Sequence, residues 1–181
     1  MQAALRRTIR GAGVALGALA LAGTVLTMTP GARAWMWAAL FGPPDLGAVD
    51  FRTLERPGTP NTWLVCPKGH CPGAVADAAP PVFAVAAPVL FAAVREAARA
   101  DPLTQEVAAD AAAGTLRFVA RTPLMHYPDT VSVEVLEAGA ERSTLALYSR
   151  SQIGRSDFGA NGKRAERWLA RLKQALPVAE D

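Results

Sequence analysis

The sequence predicts an α+β domain in which a single antiparallel sheet of about five strands carries two helices on one face, preceded by an N-terminal signal or anchor helix. Apolar and polar residues alternate in several short segments after residue 81, which is the pattern of half-buried strands. Short links between consecutive strands favour antiparallel pairing. Two longer segments repeat apolar residues at helical spacing, so one sheet face can bury both helices in a two-layer domain.

Residues 1–34 have the composition of a leader that directs export. Arginines at positions 6, 7 and 10 precede an uncharged run of 18 residues, Gly11–Met28, and an A-x-A pattern ends at position 34. The run is also long enough for a short membrane span, and aromatic residues that favour a membrane interface follow it. We therefore expect a signal peptide or a retained membrane anchor. In both cases the remainder is expected in the bacterial cell envelope, either anchored in the inner membrane and facing the periplasm or released there.

The charge balance argues against nucleic acid as a partner. The chain has a net charge of +3, but residues 1–34 hold four arginines and no acid. The remaining residues carry 15 basic and 16 acidic side chains, a net charge of −1, so the basic excess belongs to the leader. One later segment departs from neutrality, since residues 150–173 hold seven basic side chains against Asp157 and Glu166.

Residues 35–80 are predicted to be a proline-rich linker that contains the loop CPKGHC. Eight of the 14 prolines lie between residues 42 and 81, which predicts irregular extended structure with Trp63-Leu64-Val65 as an apolar tether. Export favours a disulfide between Cys66 and Cys71. Unpaired thiols and a metal site that includes His70 are the alternatives, although the metal site lacks a fourth ligand and no metal is expected.

Residues 81–181 are predicted to form the compact domain. A short strand at Val82–Val85 comes first, and a helix runs from Pro88 to Ala100 because proline suits its first turn. Trp168 lies on the apolar stripe of the last helix, which predicts a core position. The remaining strands and the final helix are predicted, in order, at Thr104–Ala109, Leu116–Ala120, Val131–Val135, Ser143–Ser149 and Ala165–Leu176.

A polar, glycine-rich stretch, SRSQIGRSDFGANGKR from Ser149 to Arg164, joins the last predicted strand to the last helix. With Trp168-Leu169 it resembles the signature of the domain-of-unknown-function 1499 family, through Ser149-Arg150-Ser151, Gly154, Ser156-Asp157, Gly159, Asn161 and Arg164. A second, upstream segment also resembles the family, in Arg121, Leu124-Met125 and Pro128-Asp129. The resemblance covers roughly Pro60 to Leu176. It implies an exported or membrane-anchored bacterial protein and brings no established activity.

The chain departs from the usual family pattern at two positions. Thr62-Trp63-Leu64 follows Pro60-Asn61, where Val-Ser-Ser is common in the family. Gly162 stands where a larger residue often follows the asparagine.

The polar stretch has a structural and a ligand-binding interpretation. In the structural one, Asp157 or Asn161 caps the helix, Gly154 and Gly159 adopt unusual backbone angles, and Arg150, next to Ser151, bonds loop carbonyls or Asp157. In the other, the helix N-terminus and nearby polar groups bind a phosphate or carboxylate head group. The candidate ligand-binding residues are Arg150, Arg155, Ser156, Asn161, Lys163 and Arg164. We expect Arg150 and Asp157 to be structural and Arg164 to be free to contact a ligand.

These observations predict a non-catalytic binding or interaction module of the cell envelope. The expected ligand is an anionic lipid or an amphiphilic small molecule, with membrane contact through the N-terminal segment and no cofactor. No catalytic residue is assigned, because no arrangement of nucleophile and base is evident. A hydrolase that uses groups near His126 and Asp157 is one alternative, and an accessory scaffold for a membrane protein is another.

Overall fold

A computed structural model describes Ala20, residues 23–25 and residues 27–180 of the chain. Most of the leader, with its predicted signal or anchor helix, lies outside these residues. Within the part described, no helix combines the length and apolarity needed to cross a membrane. The helices are α1 (Pro30–Phe41), α2 (Ala87–Arg99) and α3 (Ala160–Ala175). The strands are β1 (Thr62–Val65), β2 (Thr104–Asp110), β3 (Thr115–Arg121), β4 (Pro128–Glu137) and β5 (Ser143–Ser151).

The five strands form one antiparallel sheet in the order β1-β5-β4-β3-β2. Helices α2 and α3 pack on one face of this sheet, so the predicted α+β fold class is confirmed. The main core lies between the sheet and these two helices. There the Trp168 and Phe118 rings pack edge-to-face, with their centroids 5.3 Å apart. Both helices have the predicted apolar stripes, and their buried side chains include Leu90, Val94, Trp168 and Leu172.

The first strand is not where the sequence predicted it. Val82–Val85 contributes only isolated bridges through Phe83, which exchanges one pair of backbone hydrogen bonds with Ser143. Pro81, directly before this segment, lacks the N–H group that would extend a ladder on that side. The edge strand is instead β1, which pairs with the second half of β5. The predicted apolar tether is therefore part of the sheet.

The second face of the sheet is covered by residues from the proline-rich segment. Phe51, Leu54 and Leu64 pack with Tyr148 and the two cysteines in a second buried cluster. Cys66 and Cys71 form a disulfide, so their thiolates are not available to a metal. His70, in the same loop, is bonded to Glu134 of β4 at 2.8 Å. This layer explains why seven consecutive residues of β5, from Ser143 to Ser149, are buried.

The two departures from the family pattern touch each other in the fold. Trp63 lies on the helix side of β1 and packs against the first turn of α3. A Cβ atom at Gly162 would lie 3.0 Å from Trp63 Cε3 and 3.2 Å from Cδ2, which is too close for most side chains. Gly162 therefore makes room for the large ring at position 63, and the two unusual residues compensate for each other.

This contact predicts that Gly162→Leu lowers the free energy of unfolding by about 1–3 kcal/mol, because overpacking displaces the Trp63 ring. In the double variant with Trp63→Ala, the leucine occupies space that the ring has left, so the combined loss should be smaller than the sum of the two single losses. Chemical denaturation of the four proteins measures this coupling. Ala170→Leu, on the exposed side of α3, is the control. Additive losses would contradict the compensation.

Candidate functional site

The end of β5 divides its side chains between the two faces of the sheet. Ser149 and Ser151 face α3, whereas Arg150 faces the opposite layer, because successive residues of a strand point in opposite directions. The Arg150 guanidinium donates to the carbonyl oxygens of Leu46 at 2.9 Å and Gly47 at 3.1 Å. Arg150 is thus fixed to the segment behind the sheet. The predicted convergence of Arg150 and Arg164 in one pocket does not occur.

Arg164 points from α3 into the domain and forms a buried ion pair. One of its Nη atoms donates to Asp129 Oδ2 at 2.6 Å, and the other donates to Ser149 Oγ at 2.9 Å and Asn161 Oδ1 at 2.8 Å. The side chains of Arg164 and Asp129 are only 5% and 1% exposed. The expectation that Arg164 is free to contact a ligand is therefore corrected, because its charge is paired inside the protein.

Asn161 extends this pair into a network that joins four parts of the chain. Its side-chain amide donates to Ser151 Oγ at 2.9 Å and to the Asn61 carbonyl at 3.1 Å. Ser151 in turn donates to Asp129 Oδ1 at 2.6 Å. The Asn61 amide donates to the carbonyl of Gly154 at 2.7 Å. The network connects the start of α3 to β5, to β4 and to the residues before β1. Asn161 therefore has a structural role.

Asp157 supplies a carboxylate at the N-terminus of α3. Its Oδ2 accepts from the backbone N–H of Asn161 at 2.7 Å, and its Oδ1 accepts from that of Gly159 at 3.0 Å. Gly159 itself is the N-cap residue, with φ +78°, a conformation that glycine adopts without strain. The chain's own carboxylate thus takes the position where a ligand anion was predicted.

Burial raises the pKa of Asp129, and Arg164 and Ser151 act in the opposite direction by stabilising the carboxylate.

Asp129 is also in the wall of a cleft between residues 122–127 and residues 151–160. This apolar cleft has a volume of about 630 Å³, within the range of small-molecule sites. Its apolar lining includes Leu124, Met125, Tyr127, Ile153 and Phe158.

A second, basic cleft adjoins the apolar cleft and has a volume of about 550 Å³. The two share Thr122, Pro123, Phe158 and Ala160 in their walls. The cations that line the basic cleft are Arg121, Lys163, Arg164 and Arg167. Because Arg164 is paired with Asp129 and Arg167 with Asp101, only the other two can supply an uncompensated charge.

Arg121 and Lys163 have no carboxylate within ion-pair distance among the described residues. The one side-chain hydrogen bond of Arg121 is long, 3.5 Å to the His126 carbonyl. Burial lowers the pKa of Arg121, as expected for a half-buried cation without a counterion. Lys163 is exposed on the first turn of α3. Together they give the basic cleft an excess of positive charge.

The structure brings together only part of the predicted ligand-binding set. Lys163 and Arg164 line the basic cleft, and Ser156 lines the apolar cleft. Arg155 is exposed and is in neither wall. Arg121 was not among the predicted binding residues. The one indication in the sequence was that Arg121 belongs to the upstream segment that resembles the family, together with Leu124-Met125.

Phe158 separates the two clefts and is unusually placed for a large apolar residue. It is 91% exposed and has φ +52°, in the left-handed region that favours glycine or asparagine. An exposed phenylalanine in this backbone conformation does not by itself increase the stability of the folded state. Backbone strain of this kind clusters at functional sites, which makes Phe158 a candidate for a role in the clefts.

His126 is one of the two residues near which the hydrolase alternative places its reacting groups. It is buried in the loop between β3 and β4, and among the described residues its ring makes no hydrogen bond to a serine or a carboxylate. Burial lowers its pKa, and the nearby charges of Arg33 and Arg121 act in the same direction. In the described structure, His126 therefore has no serine or carboxylate neighbour to form a nucleophile–base pair with it.

Helix α1 rests on the loop that forms one wall of the apolar cleft. Trp37 Nε1 donates to the Met125 carbonyl at 2.7 Å, and its ring lies 4.8 Å from that of Tyr127. Arg33 donates to the Leu124 carbonyl. The segment that follows the leader is thus part of the structure around the cleft.

The fold and the site define a two-layer α+β domain whose last helix is fastened to its sheet by a buried arginine–aspartate pair, with two clefts at that junction. The chain belongs to the family described as Protein of unknown function (DUF1499), whose model matches residues 46–172. This confirms the resemblance seen in the sequence. No curated protein and no solved structure matches the chain.

Proposed function

We propose that the protein is a non-catalytic binding module of the bacterial cell envelope that takes an anionic amphiphile at the two adjoining clefts. The observation that carries the proposal is the side-by-side position of an apolar cleft and a cleft with two unpaired cations, with Phe158 in both walls. A molecule with a hydrocarbon part and an anionic head group matches both surfaces at once.

The hydrocarbon part fits the apolar cleft, whose volume of about 630 Å³ accommodates a drug-sized ligand. Leu124 is 65% exposed and Phe158 is 91% exposed, so covering these two side chains with an alkyl chain removes apolar area from water. Full burial of a side chain of this size contributes about 1.5–3 kcal/mol. The apolar walls therefore supply most of the affinity.

The anionic head group fits the basic cleft beside it. Arg121 is the stronger contributor, because its half-buried guanidinium has given up hydration without gaining a carboxylate. A hydrogen bond to a charged group contributes about 1.5–3 kcal/mol, whereas an exposed cation such as Lys163 contributes about 0.2–1 kcal/mol. The basic cleft therefore selects anionic head groups over neutral ones.

Export of the domain is part of the same proposal. The arginines at 6, 7 and 10, the uncharged run Gly11–Met28 and the small residues before position 34 support a leader. The disulfide Cys66–Cys71 is consistent with an oxidising compartment. In the envelope the protein would meet amphiphiles with phosphate or carboxylate head groups in the adjacent membrane.

Native mass spectrometry of the full chain, extracted from bacterial membranes with a neutral detergent, tests the proposal. We expect an adduct whose mass identifies an anionic amphiphile. Arg121→Gln should reduce the adduct about tenfold through the lost charged hydrogen bond. Arg155→Gln is the matched control, since Arg155 is an exposed cation in neither cleft. Wild-type protein that emerges without an adduct, or an adduct unaffected by Arg121→Gln, would contradict the proposal.

A further inference from the structure

One face of helix α1 is left largely uncovered by the described part of the structure, with Met36 half-buried and Trp35, Ala39 and Leu40 exposed. At 100° per residue, Trp35, Met36, Ala39 and Leu40 lie on a continuous arc of this helix, beside the Trp37 side chain that docks on the domain. Trp35 is 73% exposed and Leu40 is 65% exposed. The arc contains no charged or polar residue, whereas the exposed side of a helix in water normally carries several.

The sequence before α1 indicates what covers this face. The uncharged run Gly11–Met28 ends directly before Thr29, the N-cap of α1, so the exposed arc continues a segment long enough to enter a membrane. Tryptophan is enriched at the boundary between lipid and water, because its ring is apolar and its indole N–H is polar. A lipid surface is therefore the occupant that the chain itself brings to this face.

We infer that the leader is retained and that α1 lies in the lipid interface through Trp35, Met36, Ala39 and Leu40, which holds the domain in a fixed orientation on the membrane. Arg33 and Trp37, which lie beside this arc next to Leu40, dock α1 on the cleft wall. A helix with its side chains is about 10 Å across, so this docking keeps the apolar cleft within about one helix diameter of the lipid. The inference does not depend on what the clefts bind, since none of the four residues is in a cleft wall.

The test uses the full chain in phosphatidylcholine vesicles, with and without bromine atoms on the lipid chains as a fluorescence quencher. Subtracting the emission of Trp35→Phe from that of the wild type isolates the signal of Trp35. We expect brominated lipid to lower this signal about twofold or more and aqueous iodide to leave it largely unchanged, as for an indole in the interface. The corresponding difference for Trp63→Phe, inside the domain, is the control and should not respond to bromine.

Two outcomes would overturn the inference. A Trp35 signal quenched by iodide and not by brominated lipid would place the face in water. A signal protected from both quenchers would place it against protein, either a second copy or another partner. Only the vesicle-bound fraction of each variant is measured, so the readout reports the position of α1 and not attachment of the chain. Ligand binding to the clefts, measured separately, can succeed or fail independently.

Discussion

Replacing Arg164 by methionine is expected to lower the free energy of unfolding by about 3–5 kcal/mol, because it leaves the Asp129 carboxylate buried without its partner. Methionine keeps much of the volume of the arginine stem, so the loss reports the charge and not a cavity. Ser149 and Asn161 also lose a donor, which adds to the destabilisation. Urea denaturation of the variant and the wild type measures the difference.

The loss should depend on pH in a defined direction. Burial raises the pKa of Asp129 and Arg164 lowers it, so the pKa rises further when Arg164 is removed. A carboxyl with a raised folded-state pKa contributes stability below its unfolded pKa, and this contribution is lost as pH rises through the folded-state value. The variant should therefore be closest to the wild type in mild acid and furthest from it at neutral pH.

The neighbouring lysine provides a control for this prediction. Lys163→Met makes the same replacement on the same turn of α3, but at an exposed position without an ion pair. Its effect on stability should stay within about 0.5 kcal/mol. A small, pH-independent loss in Arg164→Met would contradict the assignment of Arg164 as the structural partner of Asp129.

Phe158→Asn is expected to change stability and ligand binding in opposite directions. Asparagine tolerates the left-handed backbone at this position better than phenylalanine, so the folded state should gain about 0.5–1 kcal/mol. The aromatic ring is lost from both cleft walls. The corresponding loss of about 1.5–3 kcal/mol of apolar burial would weaken binding of an anionic amphiphile roughly tenfold to a hundredfold.

Thermal unfolding and a binding titration on the same preparation check both halves of this prediction. Phe158→Leu is the matched comparison, because it keeps an apolar side chain at the strained position and should retain more of the binding. If Phe158→Asn destabilised the protein and left binding unchanged, the ring would have a structural role. That result would contradict the proposal that Phe158 contributes to a ligand site.

The sequence predicted the sheet and both core helices because their apolar residues follow strand and helix periods. It missed β1 because this strand is only four residues long and lies among prolines, where periodicity gives little signal. Its place is decided by pairing with β5, a partner more than 80 residues away that no local pattern can identify. The same long-range pairing places the proline-rich segment, which was expected to be a spacer, over the sheet face opposite the helices.

The sequence directed attention to the junction of β5 and α3, but it did not show which of the charges there are paired with one another. The spacing of Arg164 from the helix start suggested a free cation, because a sequence does not show that Asp129, 35 residues earlier, lies opposite it. Alternation along β5 could have separated Arg150 from Ser149 and Ser151. Arg121 enters the basic cleft only through tertiary packing, so its contribution was not visible from spacing alone.

A thermal-stability titration of the full chain in phosphatidylcholine nanodiscs tests the central claim, that the two clefts act as one site for an anionic amphiphile. Octyl phosphate presents an alkyl chain and an anionic head group together. Octyl glucoside has the same alkyl chain with a neutral head group, and inorganic phosphate is the anion without an alkyl chain. The account predicts that octyl phosphate stabilises the wild type, by about 2.7 kcal/mol at a hundredfold excess over Kd, and stabilises Arg121→Gln and Phe158→Asn much less. Equal stabilisation by octyl phosphate and octyl glucoside, or equal responses in the wild type and both variants, would contradict it.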